Sequence, residues 1–587
     1  MMLQAARMAA DELKRSRFCC QSVVRTELID AAFRFRQQLD IANHTKADRA
    51  VRQSEKPNVI LILADDMGFA DLGCTGSEIQ TPNIDALAQG GAMLSAMYNC
   101  ARCCPTRASL LTGLYPHNAG VGHMGANLGT PAYQGFLRND SATIAEHLRA
   151  SGYATLMSGK WHVAGDFEAR NVDSWRVGDL EHPTPRQRGF DCFYGIMDGA
   201  THFFSPHYML EDDNRIETVP DDFYFTDAIT DKAIGMIEGA VEDEKPFFLY
   251  LAHTAPHWPL HAHPEDIARY DGIYSKGWDH IRTARHETMN SSGVFQRGWN
   301  ISPRDNSVHG WAQEENKDWE ASKMATYAAM VDRMDQSIGT LIAALKRLGQ
   351  FDNTLIMFLS DNGGCAEFMA EDGWAKFYPD QTHDGKQITM GNVTGLRPGD
   401  AQTFQSYDKP WANVSNVPFR LYKHYVHEGG ISTPLVVHWP EGFAPRSAAH
   451  APCHVVDILP TILEATGAAY QAEVGGHEIQ PLQGESLLRL FQGADWQREQ
   501  PIFWEHEGNA AIRLGQFKLV RLNDRPWELY DIEADRTELT NLAGRNPKLE
   551  TDLIRQYQTW ADRVGVLDWN EALPKLLQAW NLQTPDG

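Results

Sequence analysis

The chain has 587 residues, enough for a large core and more than one domain. Its 77 Asp and Glu outnumber 53 Lys and Arg, and the resulting net charge of −24 argues against nucleic acid or an anionic membrane as a partner. An anionic substrate must therefore be drawn in by a local cationic pocket.

Residues 1–55 carry ten Lys and Arg against seven Asp and Glu, unlike the acidic remainder. They are expected to form an extension without catalytic role, in which Ala31–Leu39 reads as helical. Charges interrupt Met1–Cys20, so no secretory leader is legible there. As written the chain reads as cytoplasmic, or as periplasmic if its true start lies elsewhere. The longest apolar runs, such as Asn58–Ala64 and Pro246–Ala252, are too short to span a bilayer. Nine scattered cysteines do not suggest a full disulfide framework.

Asn58–Ala64 predicts a strand buried on both faces and runs straight into Asp65 and Asp66. Adjacent side chains on an extended chain point opposite ways, so both carboxylates reach one ion only where the chain turns, which Gly68 permits. Three later segments repeat this grammar. Tyr153–Met157 leads into Gly159-Lys160-Trp161-His162, Phe247–Ala252 into His253-Thr254-Ala255-Pro256-His257, and Thr354–Leu359 into Ser360-Asp361-Asn362-Gly363-Gly364. Met324, Tyr327, Val331, Met334, Ile338, Leu341, Ile342 and Leu345 share one helix face, closed by Gly349.

This alternation predicts an α/β fold: a large mixed, mostly parallel sheet sandwiched by helices, with ligands at the carboxyl ends of strands. The catalytic domain is expected over 56–495. A smaller α+β subdomain is expected over 496–587, where Pro501–Trp504, Ala511–Leu514, Phe517–Arg521 and Glu528–Tyr530 predict an antiparallel sheet with a packed helix. His261–Trp319 and Cys365–Pro418 lack periodicity and read as loops walling the substrate pocket.

Asp65, Asp66, Asp361 and Asn362 form an all-oxygen set, which favours calcium, with magnesium as the alternative, over zinc. Cys100 and Cys103 find no second Cys/His pair at zinc spacing. Lys160 and His162, two apart, point the same way on an extended backbone. Taken singly, Lys160 and His162 read first as a solvated lysine and a capping histidine, and His257 and Lys423 can be read as a packed loop histidine and a helix-surface lysine.

The segment Cys103–Gly113 narrows the choice. Pro105 suits a first helical turn and Gly113 a C-terminal cap, so Cys103 stands just before a helix N-terminus, where free N–H groups attract anions. Arg107 adds a fixed positive charge one turn on. The segment resembles the signature of the type I sulfatases of the alkaline phosphatase superfamily, a Cys-x-Pro-x-Arg core ahead of Leu-Thr-Gly. Cys103, not Cys104, has Pro105 and Arg107 at the right offsets. The likeness covers most of residues 57–545 and is closest to bacterial arylsulfatases, which share Ala255–Leu260 and Arg420–Lys423.

The resemblance implies that a separate maturation enzyme oxidises Cys103 to Cα-formylglycine. It implies a divalent cation, usually calcium, held by Asp65, Asp66, Asp361, Asn362 and the oxygen made at Cys103. Arg107, Lys160, His162, His257 and Lys423 match the family's sulfate-binding and proton-transfer residues. In that scheme the hydrated aldehyde attacks sulfur, Asp361 helps remove its proton, and His257 protonates the leaving oxygen. The second hydroxyl then loses its proton towards His162 and expels sulfate. The expected activity is hydrolysis of sulfate monoesters, arylsulfatase type, on a small-molecule or glycan ester. A carbohydrate sulfatase and a phosphomonoester or phosphonate hydrolase are the alternatives. A silent binding protein would have lost ligands, yet every position is filled; a cysteine-nucleophile hydrolase lacks a Cys-His-Asn pattern.

Overall fold

A computed structural model describes residues 56–370, 373–446 and 448–580. The fold described belongs to the unit Pro57–Gly587. The expected extension over 1–55, with its helical stretch, lies outside the described residues.

Ten strands form the main sheet. In chain order they are β1 (Asn58–Ala64), β2 (Ala92–Tyr98), β3 (Ala154–Lys160), β4 (Cys192–Ile196), β5 (Met209–Glu211), β6 (Asn214–Ile216), β7 (Phe247–Ala252), β8 (Thr354–Ser360), β9 (Ser432–His438) and β10 (Cys453–His454). They lie in the order β10-β2-β9-β8-β1-β7-β3-β4-β5-β6. The central block β8-β1-β7-β3-β4 is parallel throughout, whereas β9 runs antiparallel to both its neighbours and β5 and β6 form an antiparallel edge.

Helices α1 (Cys103–Thr112), α2 (Phe225–Glu242), α3 (Trp278–Ser292), α4 (Lys317–Arg347) and α5 (Ile458–Thr466) help to cover the two faces. The apolar run of β1 serves both. Ile60, Ile62 and Ala64 pack with α2, α3 and α4, while Val59, Leu61 and Leu63 pack with α1 and α5. A strand buried on both sides has no polar alternation to keep, which is why β1 reads as continuous hydrophobics.

The register decides where chemistry falls. Ala64 pairs with Ser360, and Leu63 and Gly159 both pair with Ala252. Strands β1, β8, β7 and β3 therefore end level, and Asp65, Asp361, His253 and Lys160 emerge along one edge. Gly159 is required for this alignment. It has φ +114°, and a Cβ there would sit 1.9 Å from the Ala252 carbonyl oxygen. Gly159→Ala is expected to push β3 off β7, displace Lys160 and destabilise the fold by about 3 kcal/mol or more, read from urea unfolding. A change below about 1 kcal/mol would contradict this account of the register.

The irregular reading of His261–Trp319 is corrected. It contains α3, whose inward stripe is Trp278, Ile281, Arg282, Arg285 and Met289. Two arginines occupy that stripe, so apolar periodicity could not show it. Arg285 is buried against Asp71 at 2.6 Å and Glu78 at 2.7 Å.

At the C-terminal end β11 (Ile502–His506), β12 (Asn509–Leu514), β13 (Phe517–Arg521) and β14 (Glu528–Asp531) form an antiparallel meander. Helix α6 (Pro547–Val564) lays Leu553, Tyr557 and Trp560 on Phe503, Ile512 and Leu519. The other face packs Trp504, Ala511 and Val520 on Tyr98 and Ile431. Helix α7 (Trp569–Ala579) follows.

Candidate active site

Helix α1 begins at Cys103 itself, not after it, and Gly113 caps it at φ 67° with its N–H on Ser109 O. All ten of its residues are buried. Thr106 anchors the segment: its hydroxyl donates to Asp361 O at 2.6 Å and accepts from Cys100 N–H at 2.9 Å. Arg107 donates from Nε and Nη2 to Asp361 Oδ2, at 3.1 and 2.8 Å, and from Nη1 to Lys160 O at 3.1 Å. The helix is thus fastened to the ends of β3 and β8. A hydrogen bond from Cys104, together with the charges of Lys160 and His162, holds the Cys103 thiol well below its ordinary range against the effect of burial.

The carboxylates follow the level strand ends. Lys160 Nζ donates to Asp65 Oδ2 at 2.6 Å, and Lys423 Nζ to Asp66 Oδ2 at 2.8 Å. Asp361 Oδ1 accepts from Asp66 N–H at 3.2 Å, and Asn362 Nδ2 donates to Asp66 Oδ1 at 2.7 Å. The turn that lets Asp65 and Asp66 converge is made by Asp66, at φ 64°, and not by Gly68. Gly68 instead lies against Ser415, whose carbonyl oxygen would be 2.3 Å from a Cβ. Likewise Lys160 and His162 do not stay on one extended run. His162 has φ 55°, and Gly199 leaves room for its ring.

Burial and the charge of Asp65 push the Asp361 carboxyl up to about 8 despite Arg107. Burial also works to raise Asp66, but Lys423 and His257 overcome it and hold that carboxyl below its usual range. His257 Nδ1 lies 2.7 Å from Trp258 O, which turns Nε2 towards Asp66 Oδ2 and Lys423 Nζ, each 3.3 Å away. Burial lowers both His257 and His162 to about 4.

A hard cation fits this cluster. Asp65 Oδ1 and Asn362 Oδ1 are buried oxygens without a hydrogen-bond partner, beside two further carboxylates. Such orphaned acceptors are expensive unless something positive meets them. Oxygen-only donors favour calcium or magnesium.

A cavity of about 510 Å³ opens above these groups. Cys103, His162, His257 and Lys423 line it, whereas Asp65, Arg107, Lys160 and Asp361 lie beneath, fully buried. Of the two stretches expected to wall it, only Cys365–Pro418 contributes, through Glu367, Phe377 and Tyr378. The remaining wall includes Phe167, Trp258 and Trp580. Glu367 is a site residue the sequence did not disclose: its carboxylate accepts from Trp258 Nε1 at 2.8 Å and pairs with Arg102 at 3.2 Å. No spacing marked it, because its partners come from distant strand-end loops. A larger cavity, about 630 Å³ beside Tyr270 and Arg397, holds none of this chemistry.

The family model described as Sulfatase matches residues 57–468, and one described as N-sulphoglucosamine sulphohydrolase, C-terminal, matches 419–559. The chain belongs to the sulfatase family. This sulfatase is 32% identical to an uncharacterized sulfatase of Schizosaccharomyces pombe over 88% of its own length and 95% of the relative's. It is 33% identical to an arylsulfatase of Klebsiella aerogenes, over 75% and 92% of the two chains. The solved structure of Ps i-CgsB with k-i-k-neocarrahexaose superposes with TM-score 0.62 at 28% identity, covering 86% and 93%. The sulfatase is a sulfuric ester hydrolase.

Proposed function

We propose that this sulfatase hydrolyses sulfate monoesters of the aryl type through a formylglycine made from Cys103. The observation that carries the reading is Cys103 at the floor of the cavity, at the first turn of a buried helix, beside His162 and the carboxylate cluster. Hydration of the aldehyde would supply two geminal hydroxyls, one to take the sulfuryl group and one whose deprotonation releases it. When bound at Asp65, Asp66, Asp361 and Asn362, calcium supplies Lewis acidity and positive charge for the sulfuryl oxygens.

The chain's own groups divide the remaining work. Lys423 reaches the cavity, and Lys160 and Arg107 stand beneath it, so positive charge is placed at its floor in a chain of net charge −24. His162, beside Cys103, and Asp361, which a bound cation would keep ionised, are the acceptors for the hydroxyl protons. His257 would act as the imidazolium, giving the Nε2 proton to the departing oxygen while its Nδ1–H stays on Trp258 O. Trp258, Tyr378, Phe167 and Trp580 offer flat apolar surface to an aromatic leaving group. The same surface suits the face of a sugar, and the structural relative holding a carrahexaose favours a glycan ester as the second reading.

The test is release of inorganic sulfate from aryl sulfates of graded leaving-group acidity, against 4-nitrophenyl phosphate. The wild-type, matured protein is expected to prefer the sulfates, and preference for the phosphate would overturn the reading. His257→Ala is expected to lose about 10²–10⁴-fold on the poorest leaving group and little on the nitrophenyl ester, because only an unstable leaving anion needs the proton. A uniform loss across the series would make His257 a sulfate-binding residue instead.

A further inference from the structure

Apart from the sulfate-binding groups, His123, His506 and Glu507 bring three ligand atoms within 4.8 Å of one another. His506 ends β11, Glu507 begins the turn to β12, and His123 comes from the chain after α1. Glu507 Oε1 lies 3.2 Å from His123 Nε2 and 3.5 Å from His506 Nε2. A tetrahedral ion holding nitrogen and oxygen at about 2.0–2.1 Å sets neighbouring donors roughly 3.3–3.5 Å apart. The two separations bracket such an edge.

The surroundings of His506 agree. His506 is fully buried, and neither of its ring nitrogens has a hydrogen-bond partner. The backbone points the same way. Glu507 and Gly508 form a two-residue turn at φ 53° and 76°, where Asn or Asp before Gly is the favoured pair. A glutamate there is strained, and the three imidazoles around its carboxylate account for it: His424 Nδ1 also lies 3.2 Å from Glu507 Oε1.

We propose that His123, His506 and Glu507 form a second metal site, taking a zinc-class divalent cation. Two imidazoles and one carboxylate select zinc over calcium. The ion would tie the C-terminal meander to the active-site wall, because His123 precedes Met124, which lines the cavity, and its ring lies 6.0 Å from that of Trp580. This assignment does not depend on the calcium or formylglycine reading.

Full-length protein is stripped with a chelator, reloaded with excess calcium, dialysed against zinc chloride and then buffer, and its zinc content measured by plasma mass spectrometry. The wild-type chain is expected to retain one zinc, and His506→Gln and Glu507→Gln to lose it while keeping their far-ultraviolet circular dichroism. Cobalt(II) in the wild-type protein gives a readout independent of how the variants fold: intense visible bands of a tetrahedral site are expected. Background zinc in the wild type, equal retention by both variants, weak six-coordinate cobalt bands, or loss of the zinc in Cys104→Ala instead would each overturn the site.

Discussion

Cys103→Ser is expected to lower kcat/KM for sulfate ester hydrolysis by at least about 10⁴-fold, while Cys104→Ala is expected to lose less than about tenfold. The asymmetry follows from position. Cys103 opens into the cavity beside His162, and Arg107 and Asp361 stand directly behind it. Cys104, fully buried, faces Met124 Sδ at 3.8 Å and touches the reaction only through its hydrogen bond to Cys103. A serine fills the Cys103 site with little change of shape, so the fold survives. It carries one hydroxyl, however, and a sulfate ester formed on it has no second hydroxyl to expel it. Turnover on a 4-nitrophenyl ester, with circular dichroism as the folding control, checks both arms. Equal losses at the two cysteines would contradict the assignment.

Asp361→Ala is expected to remove turnover and calcium binding together and also to destabilise the fold by about 3–5 kcal/mol, because it leaves a buried guanidinium unpaired. Arg107 Nη2 has Asp361 Oδ2 at 2.8 Å and Asp65 Oδ2 only at 3.5 Å, and all three side chains are fully buried. Asp361→Asn separates the effects. The amide keeps an oxygen for Arg107 but gives up the negative charge, so most stability returns while activity and calcium affinity stay low. Isothermal titration with calcium and urea unfolding on the two variants measure this. Calcium bound at wild-type affinity by Asp361→Ala would remove Asp361 from the metal site.

Much of the fold was legible because the central strands are buried on both faces. Asn58–Ala64 and Phe247–Ala252 are observed with their expected bounds, since an unbroken apolar run between polar residues has one sensible reading. Helix α3 was not legible, because Arg282 and Arg285 stand where apolar residues mark an inward stripe. The groups that leave strand ends were readable for a related reason: a parallel sheet gathers such ends, and level register brings Asp65 and Asp361 to one Arg107. The details of convergence were not. Positive φ at Asp66 and His162, both non-glycine, aims those side chains, and composition gives no sign of a backbone held there by its surroundings. Glu367 and Trp580 are further examples, since a cavity wall built from loops and a C-terminal helix carries no spacing rule.

The central claim is that Cys103 acts as a formylglycine. The direct measurement is peptide mass spectrometry of the segment containing Cys103, made on the same samples whose sulfate ester turnover is recorded, after expression with and without a formylglycine-generating enzyme. The account predicts that one oxygen replaces sulfur and two hydrogens at Cys103, and that turnover rises in proportion to the converted fraction. Full turnover from protein whose Cys103 is wholly unmodified would contradict it.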